Sequence, residues 1–195
     1  QHNICPKVHR VNTPKPQGGY TFHIRNGVAV IEAEHYYSAH TPEGTKWTII
    51  PRYGRTLSGI ALTPYTSPVQ GAGLSYRIKA TCPADSVEVR LILKSTMPFL
   101  GNGGHRVKVG FQGASAREIN INGLLTWDNK YTMMYPTGAA RIIELHVRLP
   151  LPAKETSWTL KFEPLDPGVV LHKVVVNNGG YRESFLKMTE SEYER

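Results

Sequence analysis

The run Val87-Glu88-Val89-Arg90-Leu91-Ile92-Leu93-Lys94 decides the fold, because it places an apolar side chain on every second residue. Successive side chains of an extended strand point to opposite faces, so Val87, Val89, Leu91 and Leu93 share one face. Glu88, Arg90, Ile92 and Lys94 fall on the other. The same period recurs in Val107, Val109 and Phe111, in Ile143, Leu145, Val147 and Leu149, and in Trp158, Leu160 and Phe162. Further strands are expected near 28–34, 46–51, 59–63, 73–79, 117–122 and 169–176. Pro83-Ala84-Asp85, Asn102-Gly103-Gly104 and Asn122-Gly123 supply turns between them. No segment carries the periodicity of a long amphipathic helix. The reading is an all-β fold, an antiparallel β-sandwich of jelly-roll-like type.

At 195 residues the chain is expected to form one domain with a substantial core. Residues 1–26 are rich in Pro, Gly, Asn and His and read as an irregular strap or linker remnant. The sandwich is expected over 27–186 with 187–195 as a C-terminal tail, and the polar stretch Tyr181–Arg195 is expected to pack back over the sandwich edge in part and then fray. The net charge of +8 comes from dispersed basic residues, not from a concentrated patch, so no nucleic-acid partner is expected. A basic surface does suit an anionic polysaccharide. No stretch reaches the length of a membrane span, and the sequence reads like an excised or processed fragment. Cys5 and Cys82 allow either one disulfide or two free thiols.

Two separated segments carry a family likeness. The first contains Val30-Ile31-Glu32-Ala33-Glu34-His35-Tyr36, then Trp47, Ile50-Pro51 and Gly54-Arg55-Thr56. The second runs from Leu165-Asp166-Pro167-Gly168 through Val174 to Gly179-Gly180-Tyr181 and Ser184-Phe185-Leu186. Together they resemble the C-terminal β-sandwich domain of glycoside hydrolase family 115, the bacterial α-glucuronidases, with similarity to carbohydrate-binding modules of families 6 and 35. The resemblance implies a non-catalytic accessory domain of a periplasmic or extracellular enzyme. Its expected partners are plant cell-wall polysaccharide, such as glucuronoxylan or an arabinogalactan, and the catalytic domains of the parent enzyme. The alternative it leaves open is a structural interdomain or dimerisation domain that binds no sugar.

Sugars present apolar C–H faces to aromatic rings and offer their carboxylates to Arg. Trp47, Tyr53 and Arg55 combine both kinds of group in one strand-loop unit, and Trp127, Tyr131 and Tyr135 add aromatics to a long connection. Trp127 could equally plug the end of the core. Asn178, at the end of the last long strand, is a further candidate by the resemblance. Glu32 and Glu34 are in phase with Val28 and Val30, so both carboxylates face the side those valines bury. Unpaired burial of like charges is costly. A structural calcium would resolve it, with Asn177 as the third ligand implied by the resemblance; pairing with Arg or Lys would resolve it equally well. No catalytic residue is assigned: the histidines form no ligand cluster, and no nucleophile or phosphate-binding motif is present.

Overall fold

The computed structural model describes residues 15–123 and 125–195. In chain order the first strands are β1 (Thr21–His23), β2 (Val28–Glu32), β3 (Ser38–His40), β4 (Lys46–Pro51), β5 (Ser58–Thr63) and β6 (Gly73–Lys79). There follow β7 (Ser86–Lys94), β8 (Arg106–Phe111) and β9 (Arg117–Asn120). After a helical connection come β10 (Ile142–Pro150), β11 (Ser157–Pro164), β12 (Val170–Asn177) and β13 (Tyr193–Glu194). One sheet runs β13-β1-β6-β11-β8-β9, with β3 also on β6. The other runs β10-β7-β12-β5-β4, with β2 on β12. The ladders are antiparallel except for the parallel pair β1–β6. The chain is an all-β sandwich, jelly-roll-like, as its alternation requires.

The core lies between the sheets. Val87, Val89, Leu91 and Leu93 of β7 meet Tyr76, Trp158, Leu160 and Phe162 of the facing sheet, and all are essentially inaccessible. Each such side chain contributes about 1.5–3 kcal/mol on burial. The Tyr76 hydroxyl crosses the sandwich to donate to the Ala33 carbonyl at 2.9 Å.

Both proposed boundaries are too narrow. Within the segment read as an irregular strap, β1 pairs with β6 and buries Phe22 completely. Three residues are too few to display a period, so the strand left no signal. At the other end, Tyr181–Arg195 packs back as far as Glu194. It crosses the outer face of the second sheet, where Tyr181 and Met188 cover Val28, Val30, Ile92, Ile142 and Val175, then ends in β13 against β1. That cover explains why Ile92 sits on the face its neighbours made polar. Residues 1–14, including Cys5, lie outside the described residues; Cys82 is exposed.

One irregularity shapes the outer face. Between Leu171 and Lys173 the register of β12 against β7 slips by one residue. A bulge of this kind breaks the alternation. Leu171 and Val174 both enter the core, while His172 and Lys173 are consecutive residues outside it.

Candidate functional site

The β4–β5 hairpin closes through Arg52, Tyr53, Gly54 and Arg55. A Cβ on Gly54 would fall 2.4 Å from the Ser58 carbonyl oxygen, so only glycine permits this tight a turn. The turn stands over the end of β7 and the start of β10. Together with Lys94, Ala140, Arg141, Ile142 and His172 it lines a half-open cavity of about 250 Å³. That is below the roughly 300 Å³ at which drug-sized sites begin, and suits a single sugar ring or carboxylate.

The electrostatics are one-sided. Arg52, Arg55, Lys94 and Arg141 all line the cavity, and no lining residue is acidic. Arg55 donates from Nη2 to the Ala140 carbonyl at 2.7 Å and lies 4.1 Å from the centre of the Phe185 ring, while its buried Nε has no partner among the described residues. Lys94 sits 4.8 Å above the Tyr53 ring, and burial, then Arg141 and Arg55, hold its ammonium below the ordinary value. His172 is 3% exposed, packs edge-on to Tyr53, and makes no hydrogen bond from either ring nitrogen to the described residues. Burial, then Lys94 and Arg55, lower it to about 4, so it is neutral near pH 7.

The backbone adds a second sign. Arg52 and Arg141 have φ of 58° and 59°, in the left-handed region. Residues with a Cβ pay about 1–2 kcal/mol there, and Gly or Asn usually occupy such positions. Two arginines in this conformation line one cavity.

The structure brings together only part of the expected sugar site. Tyr53, 41% exposed, and Arg55 meet at the cavity. Trp127, Tyr131 and Tyr135 are well exposed, so Trp127 does not plug the core. They lie on a helical run formed by turns at Trp127–Asn129 and Lys130–Met134 and by α1 (Tyr135–Ala140), whose last residue lines the cavity. Trp47 is a correction: it shares the inward phase of β4 with Ile49, is 7% exposed, and donates its indole N–H to the His40 carbonyl. Asn178 is another. It lies six residues beyond His172, about 20 Å along β12, at the far end of the sheet. Sequence reasoning missed Lys94, Arg141 and His172, because nothing local distinguishes a strand-end lysine or a helix-ending arginine from solvated charge.

The calcium ligand set is not assembled. Glu32 pairs across β2–β12 with Lys173, whereas Asn177 pairs with Val28, about 13 Å further along. Asn177 Oδ1 instead accepts the Gly179 and Tyr181 N–H groups. Glu34 accepts from the Ser58 hydroxyl, and Glu32 from Thr56 and from Lys173 at 3.3 Å. Burial raises Glu32, against the lowering effects of Thr56 and Lys173. These residues do not fit a calcium ion: Asn177 stands apart from Glu32 along β12, and an ammonium is already at Glu32.

The fold and this accessory-type site define a β-sandwich module, and comparison with known proteins specifies it. Residues 21–190 match the model of the glycosyl hydrolase family 115 C-terminal domain. The chain belongs to that family, and is its accessory C-terminal domain rather than the catalytic one. Among solved structures it is similar to BtGH115A, described as a 4-O-methyl-α-glucuronidase with specificity for decorated arabinogalactans. The TM-score is 0.60 at 18% identity, over 89% of this chain and 20% of that one. It also resembles the mosquito-larvicidal Cry4Aa toxin of Bacillus thuringiensis (TM-score 0.52, 12% identity, 80% of this chain and 24% of that one). The C-terminal family 6 carbohydrate-binding module of LamC from Zobellia galactanivorans gives TM-score 0.47 at 12% identity, over 77% of this chain and 98% of that one. The chain thus spans about a fifth of the BtGH115A chain. No curated protein matches it.

Proposed function

We propose that this domain is a carbohydrate-binding accessory module that seats the carboxylate of a glucuronic acid residue in the cavity formed by Arg55, Lys94, Arg141 and His172. The observation that carries the reading is the cluster of cations without an acidic partner among the described residues. Such a cluster is costly when empty of counter-charge and is relieved by a planar anion that accepts hydrogen bonds from several of its members. Tyr53, at the rim, offers a face for the sugar ring, and the exposed Tyr131 and Tyr135 offer further stacking surface. Glucuronoxylan or a decorated arabinogalactan would supply the ligand outside a bacterial cell or in its periplasm. The parent enzyme's catalytic domains would gain effective concentration at the chain from a module that is itself weak.

The test is calorimetric titration with glucuronate, glucose, glucuronoxylan, arabinogalactan and uncharged xylan. Glucuronate should bind and glucose should not, and Arg55→Ala should weaken binding at least tenfold, since hydrogen bonds to charged groups contribute about 1.5–3 kcal/mol. Binding of neutral xylan equal to that of glucuronoxylan would overturn the reading. A second reading rests on Trp127, which is 67% exposed: heat with none of the glycans would assign this aromatic surface to contact with another domain of the enzyme.

A further inference from the structure

The mismatch with calcium has a specific physical content. Three oxygens converge at the outer face of the second sheet: Glu32 Oε1, the Leu186 carbonyl and the Met188 carbonyl. The Lys173 ammonium lies among them, at 3.3, 3.0 and 2.7 Å respectively. Lys173 is 2% exposed. An ammonium has three donors and no acceptor, so these three oxygens match its full hydrogen-bonding capacity. A carboxylate with backbone carbonyls is also the donor chemistry of a hard divalent cation. A buried positive charge at the same point would repel such an ion.

We propose that Lys173 is the built-in cation of this domain, standing where a metal ion would otherwise be needed, and that it latches the strap of residues 184–191 to the second sheet without calcium.

Two further observations support the latch. Lys187 and Met188, whose neighbourhood supplies both carbonyls, have φ of 57° and 63°. Successive left-handed residues with side chains persist only where outside contacts hold them. Lys173 stands opposite Glu32 in the unbroken β2–β12 ladder, so sheet register and strap conformation serve one contact. The strap then runs on through Glu190, which accepts the Glu32 N–H at 2.9 Å, and Ser191, which exchanges hydrogen bonds with Val30 at 2.8 and 2.9 Å. Upstream it carries Phe185 against Arg55. The latch therefore also fixes one side of the cationic cavity, a consequence that holds whether or not that cavity binds uronate.

The experiment uses the 195-residue chain. Its thermal midpoint should be the same in excess EDTA, in millimolar calcium and in neither. In Lys173→Met, and in Lys173→Gln, the Glu32 and Ser191 amides should exchange with solvent at least about tenfold faster, while the β7 amides stay protected, because the strap opens as a local unit. A wild-type midpoint that rises with calcium or falls with EDTA would overturn the proposal, and needs no variant to fold. Unchanged exchange at Glu32 and Ser191 in either folded variant would overturn it as well.

Discussion

At the scale of the residue, the cavity combines side chains chosen for charge with backbone positions that disfavour them. Arg141 ends α1 in the left-handed region, where its N–H still donates to the Gly138 carbonyl at 3.2 Å. Glycine adopts that φ without the Cβ penalty. Arg141→Gly should therefore leave the fold as stable as the parent or stabilise it, by up to about 1 kcal/mol. It should at the same time remove one cation from the cavity and weaken glucuronate severalfold. Urea unfolding and calorimetry on the same preparation check both halves. Loss of stability with binding intact would mean that Arg141 is present for packing, not for charge.

At the scale of the element, the bulge of β12 puts His172 on the outer face, beside the cavity, next to Lys173, which already faces outward in phase with Val175. Gly59 on the neighbouring β5 leaves room for this: a Cβ there would lie 2.8 Å from Val170 Cγ1 and 3.1 Å from His172 Cδ2. Gly59→Ala should cost about 1–3 kcal/mol by overpacking, read as a lower urea midpoint with unchanged slope. An unchanged midpoint would show that the bulge yields freely. None of this was legible in the sequence. Long strands such as β7 and β11 were, because each repeats its period at least three times. The bulge adds one residue to Val170-Leu171-His172-Lys173-Val174, where apolar residues on both sides of the strand conceal the slip. The short β1, β3 and β13 have too few residues to show a period. Arg55 and Tyr53 could be found because a turn sequence places them together, whereas Lys94, Arg141 and His172 join them only through tertiary structure. Trp47 was misplaced because aromatic type was weighed ahead of its phase with Ile49.

At the scale of the whole molecule, a buried and a half-buried histidine bracket the pH range of stability from opposite sides. His172 is lowered to about 4 by burial and by Lys94 and Arg55. Its unfolded counterpart titrates near 6.5, so the unfolded chain takes up a proton first as pH falls. The contribution is complete above about pH 6.5 and is lost between there and about 4, up to roughly 3 kcal/mol. His35 behaves oppositely. Burial alone would lower it, but the hydrogen bond and charge of Glu190, with Glu34 and Glu32, raise it above its ordinary value. Its contact with Glu190, at 2.8 Å, stabilises the strap fully below about pH 6.5 and loses that effect as pH rises through the raised value. Stability should therefore peak close to neutrality and fall on both sides, with the alkaline limb shallower, about 1 kcal/mol for a partly exposed pair. Urea midpoints across pH 4–9, a range of about five units, should show the acid limb flattened in His172→Leu, which also removes two unpartnered ring nitrogens and so costs little at pH 7. Glu190→Gln should flatten the alkaline limb alone. A variant that lowered the whole curve without changing its shape would assign that residue to packing, and leave the pH dependence to the surface carboxylates.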